Sequence, residues 1–394
     1  MAKVGHRKTF EAATEPRTVR SSPSTESSSE VWTTQQLADT YARVRHAVPS
    51  NPDGRVTIDS PEACTDGRLV GGDGYLYPPS ASMRTLPPVR AEGLENSPPP
   101  EQRVDLIHVN GILTKAAEQL HSMKKLANGL AGGVAQAEVR GVHSGTEGFI
   151  GDILQAVTDK TDIGRNRAIE TLKNKVLDRV LAGEPANLVV HSHGSITASR
   201  ALKEAKASLT LEYGYSRQEA ESLLDATVRV VTTGNAQWKY PDGPQYRHMV
   251  NVKDGVATSF GLGSMPDVPT GSTYGPVLRA FGRTAALIGA GFRALRGDPG
   301  PVYAPGRGAA IDAFEQDNGL LKAFTANHSF EDVYVARMSE QRSVLLGEGA
   351  QRGFFLRADH RASDSIVEPH RDKLVPLPSK STAAPHRGES KTGS

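Results

Sequence analysis

Cysteine, net charge and long apolar runs are all scarce in this sequence, and each shortage removes a class of protein. A single cysteine, Cys64, among 394 residues excludes a disulfide framework within the chain and favours a fold that does not depend on oxidation. Lys and Arg number 46 against 44 Asp and Glu, a formal net charge of +2, so no electrostatic case exists for nucleic acid as a partner. No apolar run approaches the roughly 18 to 20 residues that span a bilayer, and the opening stretch lacks the apolar core of a secretory signal. A soluble chain is expected, cytoplasmic or exported without a classical signal peptide, with no transmembrane segment. Neither a Walker loop nor a Gly-x-Gly-x-x-Gly turn follows any predicted strand, which leaves nucleotide chemistry and a nucleotide cofactor without support.

Low complexity marks both ends. The run from Ser21 to Ser29 is almost entirely Ser, Thr and Pro, and Pro78, Pro79, Pro87, Pro88 and Pro98 to Pro100 interrupt every later periodicity. Residues 1–102 are therefore expected to be a largely disordered Ser/Pro-rich region, with one helix at 34–47 where Leu37, Tyr41 and Val44 recur at helical spacing. Its composition is also similar to that of the export segments of injected bacterial effectors. Residues 351–394 are polar, mixed in charge and punctuated by Pro376, Pro378 and Pro385, the pattern of a second disordered tail.

Between them, over 103–350, strands and helices alternate. A β-prone run at 104–109 ends in Asn110-Gly111, and Ala117, Leu120, Met123, Leu126 and Leu130 form one stripe of a helix over 114–130. A strand at 137–142 and helices at 149–160 and 165–181 follow, the last carrying Ile169, Leu172, Val176 and Val180 on one face. Ser216 and Glu219 make a capping box that opens a short helix, and strands are expected at 227–232 and 247–252. Alternation with short links predicts an α/β fold with a mostly parallel sheet covered by helices on both faces. In such sheets functional groups gather at the carboxyl ends of strands, where Asn110, His143, Ser192, Asn235 and Asp254 fall.

The most informative stretch is Asn187 to Ser195. Leu188, Val189 and Val190 suit a strand buried on both faces, and 197–209, rich in Ala, Lys, Leu and Glu, suits a helix. Ser192 sits at the turn between them, flanked by His191 and His193. A strand, a sharp turn holding a serine and then a helix are what a nucleophile elbow requires. A serine nucleophile needs a base to take its proton and a carboxylate to orient that base. Downstream, Asp254 follows the strand at 247–252, with Asp242 as the second candidate acid. His328 lies beyond both and precedes Phe330, Val333 and Tyr334, which read as the inward face of a helix. Asp254 would otherwise be a turn residue, and His328 an ordinary helix-capping or surface histidine. His108, His143, His191 and His193 invite a zinc reading, but no acidic or cysteine partner stands at ligand spacing, so no metal is expected.

Residues 103 to about 345 resemble the α/β-hydrolase superfamily in its lipase and esterase style. The motif that carries the resemblance is Val190-His191-Ser192-His193-Gly194, in which the second small position is kept and the first holds valine where that family has glycine. The resemblance implies a triad in the chain order Ser192, Asp254, His328. It also implies an oxyanion hole from the backbone N–H groups of His193 and Ile112, the latter in the loop after the first strand. The interval from Asp254 to His328 is longer than a crossover helix needs. Near 261–300 it holds a Gly/Pro/Ser-rich stretch and then Leu278, Phe281, Ala285, Ile288, Phe292 and Leu295 on one helical stripe. That stripe is either a lid meeting an acyl chain or a membrane interface, or a helix covering the sheet. The function these features imply is hydrolysis of carboxylic esters, with lipid or phospholipid acyl esters as the class a lid would select. An acyltransferase using the same triad and a non-catalytic binding protein of the same fold stay open. Oligomeric state is not legible from the sequence.

Overall fold

The computed structural model describes residues 54–61, 64–111, 114–145, 167–265, 267–268, 303–316, 326–348 and 351–363, all within one compact unit, Val48–Ser394. The expected helices at 34–47 and 149–160, the apolar stripe from Leu278 to Leu295, and Ile112 lie outside the described residues.

Among the described residues the main sheet has nine strands: β1 (Val56–Thr57), β2 (Leu69–Val70), β3 (Tyr75–Tyr77), β4 (Arg103–Val109), β5 (Gln136–Val142), β6 (Ala186–His191), β7 (Val228–Thr233), β8 (Gln245–Asn251) and β9 (Ala310–Phe314). Their spatial order is β1-β3-β2-β5-β4-β6-β7-β8-β9. Strands β5, β4, β6, β7, β8 and β9 run parallel, and β1 to β3 add an antiparallel edge against β5. The helices are α1 (Ala116–Gly129), α2 (Arg167–Val180), α3 (Gly194–Leu211), α4 (Arg217–Thr227) and the short α5 (Gly255–Phe260). After β9 come a π-helical turn at Phe330–Val335, α6 (Ala336–Glu340), α7 (Arg342–Leu346) and a small hairpin, β10 (Gly347–Glu348) and β11 (Gln351–Arg352).

Side-chain alternation along β6 explains why the sheet is covered on both sides. Leu188 and Val190 enter one apolar core with residues of α2, α3 and α4, while Val189 enters the other with α1, Phe330, Val333, Tyr334 and Met338. With a side-chain period of 2, only layers on both faces bury every residue of such a strand. All three side chains are fully buried, each contributing about 1.5–3 kcal/mol relative to exposure. On α2 the predicted stripe Ile169, Leu172, Val176 and Val180 is buried. The Ser216 capping box forms as well: Ser216 Oγ accepts from the Glu219 N–H at 3.2 Å and the Ser216 N–H donates to Glu219 Oε2 at 2.7 Å.

Two segments expected to be tails contain packed residues. Within the region expected to be largely disordered, Leu69, Val70 and Leu76 of β2 and β3 are fully buried and Met83, Leu86 and Val89 also enter the cores. Proline breaks helical and strand periodicity, but it does not prevent short edge strands and turns from packing. Within the segment expected to be a tail from 351, Phe355 is buried and Asn187 of β6 clasps Leu356, accepting from its N–H at 2.9 Å and donating to its carbonyl at 2.8 Å. Helix α3 starts at Gly194, three residues earlier than composition suggests, because it springs directly from the turn at Ser192. No described helix is long and apolar enough to cross a membrane.

Candidate functional site

Ser192 is the one non-glycine residue with positive φ, at 52°, among the described residues. A left-handed backbone costs a residue with a Cβ roughly 1–2 kcal/mol, so surrounding bonds must impose it. The Ser192 N–H donates to the Thr233 carbonyl at 3.0 Å. Its carbonyl accepts from the Ser195 N–H at 3.0 Å and from Ser195 Oγ at 2.6 Å. Ser195 Oγ in turn accepts from the Ala236 N–H at 3.0 Å, which ties the turn to the loop after β7. Gly194 is required by close approach: a Cβ there would stand 2.6 Å from the Val109 carbonyl oxygen and 2.7 Å from that of Asn110. Val190 is accommodated. It is fully buried in the same core as Ala198, Ala201 and Ala205 of α3.

Asp254 is fully buried and caps α5, Oδ1 accepting from the N–H groups of Val256 at 2.8 Å and Ala257 at 3.2 Å. Its other oxygen, Oδ2, receives His328 Nδ1 at 2.8 Å and the Tyr334 hydroxyl at 2.6 Å. An ionised carboxylate only accepts, so this contact takes the Nδ1 proton of His328 and leaves Nε2 without one. His328 ends a tight turn, Ala326–His328, and Ser329 caps the turn that follows by accepting from the Asp332 N–H at 3.2 Å. Asn327, also buried, donates to the Lys253 carbonyl at 3.3 Å and accepts at its carbonyl from Asn251 Nδ2 at 3.2 Å, fastening the histidine's segment to the aspartate's. The alternative acid, Asp242, instead accepts from the Arg307 backbone at 3.0 Å and its guanidinium at 3.4 Å.

His191 joins the serine's turn to the histidine. Its ring lies 4.7 Å from that of His328, centroid to centroid, and Nδ1 is 3.1 Å from the Thr233 carbonyl oxygen. Gly234, at φ 53°, lies under both rings: a Cβ there would fall 2.8 Å from His328 Cε1 and 3.0 Å from His191 Cε1. On the other side, a Cβ on Gly111 would come 3.1 Å from Ser192 Cβ and 3.6 Å from Ser192 Oγ. Burial pushes the His191 imidazole well below its ordinary pKa, lowers that of His193, and takes His108 down to about 3 and His143 to about 4. These rings are neutral near pH 7. Among the described residues no group of three or more His, Cys, Asp or Glu is placed to hold a metal ion.

Of the two expected oxyanion donors, Ile112 lies outside the described residues. The His193 N–H stands at the start of α3, where helix N–H groups lack intrahelical acceptors. The end of β4 is braced by Asn110, whose Nδ2 donates to the Ser144 carbonyl at 2.9 Å and to the Gly111 carbonyl at 2.9 Å, and whose Oδ1 accepts from the Ser144 N–H at 2.8 Å. Sequence reading placed Asn110 at a strand end but missed this brace, and it read Tyr334 only as an inward apolar residue. A phenol four residues beyond a buried face's start was the available signal for a buried hydrogen bond. A strand ahead of His328 was also missed. It is β9, paired to β8, short and half-exposed, so its alternation is weak.

No protein-family model matches the sequence, and no curated protein matches it. Solved structures similar to the chain include an IroE-like serine hydrolase from Shewanella oneidensis, at 10% identity and TM-score 0.30, covering 64% of this chain and 74% of that one. A siderophore hydrolase, EstB, from Aspergillus nidulans is similar at 11% identity and TM-score 0.27, over 63% of this chain and 85% of that one. An uncharacterised protein from Capnocytophaga ochracea DSM 7271 is similar at 10% identity and TM-score 0.29, over 62% and 57%. Likenesses of this size carry no weight beside the site's own geometry.

Proposed function

We propose that the protein is a serine hydrolase of carboxylic esters, with Ser192 as nucleophile, His328 as general base and Asp254 as the carboxylate that orients it. The observation that carries this reading is the 2.8 Å contact of His328 Nδ1 with the buried Asp254 carboxylate; a serine held at φ 52° at a strand-to-helix turn supports it. Ser192 Oγ attacks the ester carbonyl carbon while its proton passes to His328 Nε2. The oxyanion is received by the N–H groups of His193 and Ile112. Collapse breaks the ester bond, His328 returns the proton to the departing alcohol, and water then releases the acid from the acyl-Ser192 by the same steps in reverse roles. Lipid or phospholipid acyl esters are the substrate class favoured by the apolar stripe Leu278 to Leu295, which supports a lid.

The test is labelling with a fluorophosphonate probe, wild type beside Ser192→Ala. Wild type is expected to label and the variant not to, and labelling that survives the substitution would move the nucleophile elsewhere. Hydrolysis of p-nitrophenyl esters of increasing acyl length then reads the lid. Faster turnover of long chains is expected, and equal rates along the series would remove the lipid assignment. Product analysis with an added alcohol separates hydrolysis from acyl transfer.

A further inference from the structure

We propose that Tyr334 is a positioning residue for the acid of this site, its hydroxyl holding Asp254 Oδ2 in place and sharing the carboxylate's charge with His328; this rests on the serine-hydrolase reading above. Oδ2 is a shared acceptor, 2.6 Å from the Tyr334 hydroxyl and 2.8 Å from His328 Nδ1. The two donors come from one stretch of chain, His328 ending one turn and Tyr334 lying in the π-helical turn Phe330–Val335. Movement of that stretch therefore changes both bonds together. The phenol is itself located by the Asn251 N–H, which donates to it at 3.4 Å, and by edge contact with Phe314, ring centroids 5.7 Å apart.

The carboxylate has need of such a donor. Asp254 is fully buried, and its charged form is met by two helix N–H groups, the phenol and the imidazole. The neighbouring Lys253 ammonium pairs with Glu315 after β9 at 3.1 Å. From the strands, His191 lies 5.8 Å from the Tyr334 ring and His108 packs on Phe330 at 4.9 Å. Burial holds both imidazoles neutral near pH 7. A buried anion surrounded by neutral donors loses most when one is removed. Burial and the adjacent carboxylate also keep the phenol far above its ordinary pKa, so it donates throughout the working pH range.

Removing the hydroxyl leaves Oδ2 with His328 as its one side-chain donor. The carboxylate then favours the charged imidazolium more strongly, so the base stays protonated to higher pH, and its ring is held less tightly. Tyr334→Phe is expected to lower kcat for p-nitrophenyl butyrate about tenfold with KM within about twofold, the loss expected of one hydrogen bond to a charged group. The acid limb of kcat/KM should move up by about half a pH unit. In an Asp254→Asn background the same substitution should change nothing further, because the two act as one unit. Incorporation of 3-fluorotyrosine at position 334 keeps the shape and strengthens the donor, so the limb should move down. An unchanged limb in both variants, or an equal loss in the Asp254→Asn background, would overturn the proposal. A wild type that fails to label with fluorophosphonate would instead overturn the esterase reading. The positioning role would then be read by the NMR titration of the His328 ring in histidine-labelled protein, displaced upward by Tyr334→Phe if the proposal holds and unmoved if it does not.

Discussion

Ser192 keeps a backbone conformation that few residues adopt, and the bonds enforcing it come from β7 rather than from its own neighbours alone. Thr233 accepts the Ser192 N–H and stands 3.1 Å from His191 through the same carbonyl, so one carbonyl sets the serine and the ring that packs on His328. Gly234, next in the chain, leaves no room for a side chain beneath the two rings. A methyl group there would meet His328 Nδ1 at 2.9 Å, in a left-handed conformation that already disfavours a side chain. Gly234→Ala is expected to reduce ester hydrolysis at least about tenfold by displacing His328, and to lower stability by about 1–3 kcal/mol. Steady-state kinetics beside urea denaturation will check both. Unchanged kcat would show that the ring has room to move.

The junction of β6 and α3 depends on how closely the helix can approach β4. Gly194 lets the first turn of α3 lie against the carbonyls of Val109 and Asn110, and the buried alanines 198, 201 and 205 continue that approach along the helix. Val190 is buried in the same core as these alanines. Gly194→Ala puts a Cβ against backbone on two sides, which no rotamer relieves. A loss of about 2 kcal/mol or more, seen as a lower urea midpoint, is expected together with failure to label by fluorophosphonate. Normal labelling in a destabilised variant would separate the turn's geometry from helix packing.

Across the whole molecule, buried neutral histidines connect stability to pH. Burial takes His108 to about 3, His143 to about 4 and His248 to about 4, all below the ordinary value of about 6.5. The unfolded chain takes up these protons as pH falls below about 6.5, while the folded protein refuses them until about 4 or lower. Stability is therefore fully present above about 6.5 and is lost on acidification through that window, by up to about 1.4 kcal/mol per pH unit for each ring. Tm measured from pH 7 to pH 4 should fall steeply. His108 has neither ring nitrogen bonded, so His108→Leu removes one titration without breaking a hydrogen bond, and it should make the decline shallower. An equal slope would show that carboxylates, not this ring, govern acid unfolding.

Local pattern was enough to place β4 to β8, helices α1 to α4 and Ser192 at a turn. Alternation of apolar residues on strands, stripes on helices and the Ser216 cap are all short-range, so each is written in neighbouring residues. The N-terminal edge was not legible, because β1 to β3 are two or three residues long and are stabilised by pairing with β5 rather than by their own periodicity. The choice between Asp254 and Asp242 was left open for the same reason. Both are aspartates before glycine, and only the folding of distant segments brings His328 to one of them and Arg307 to the other. Sequence by itself determined which residue types stand at the ends of which strands. Tertiary structure alone decided which of them meet, because a hydrogen bond between residues far apart in the chain depends on how the whole sheet is covered.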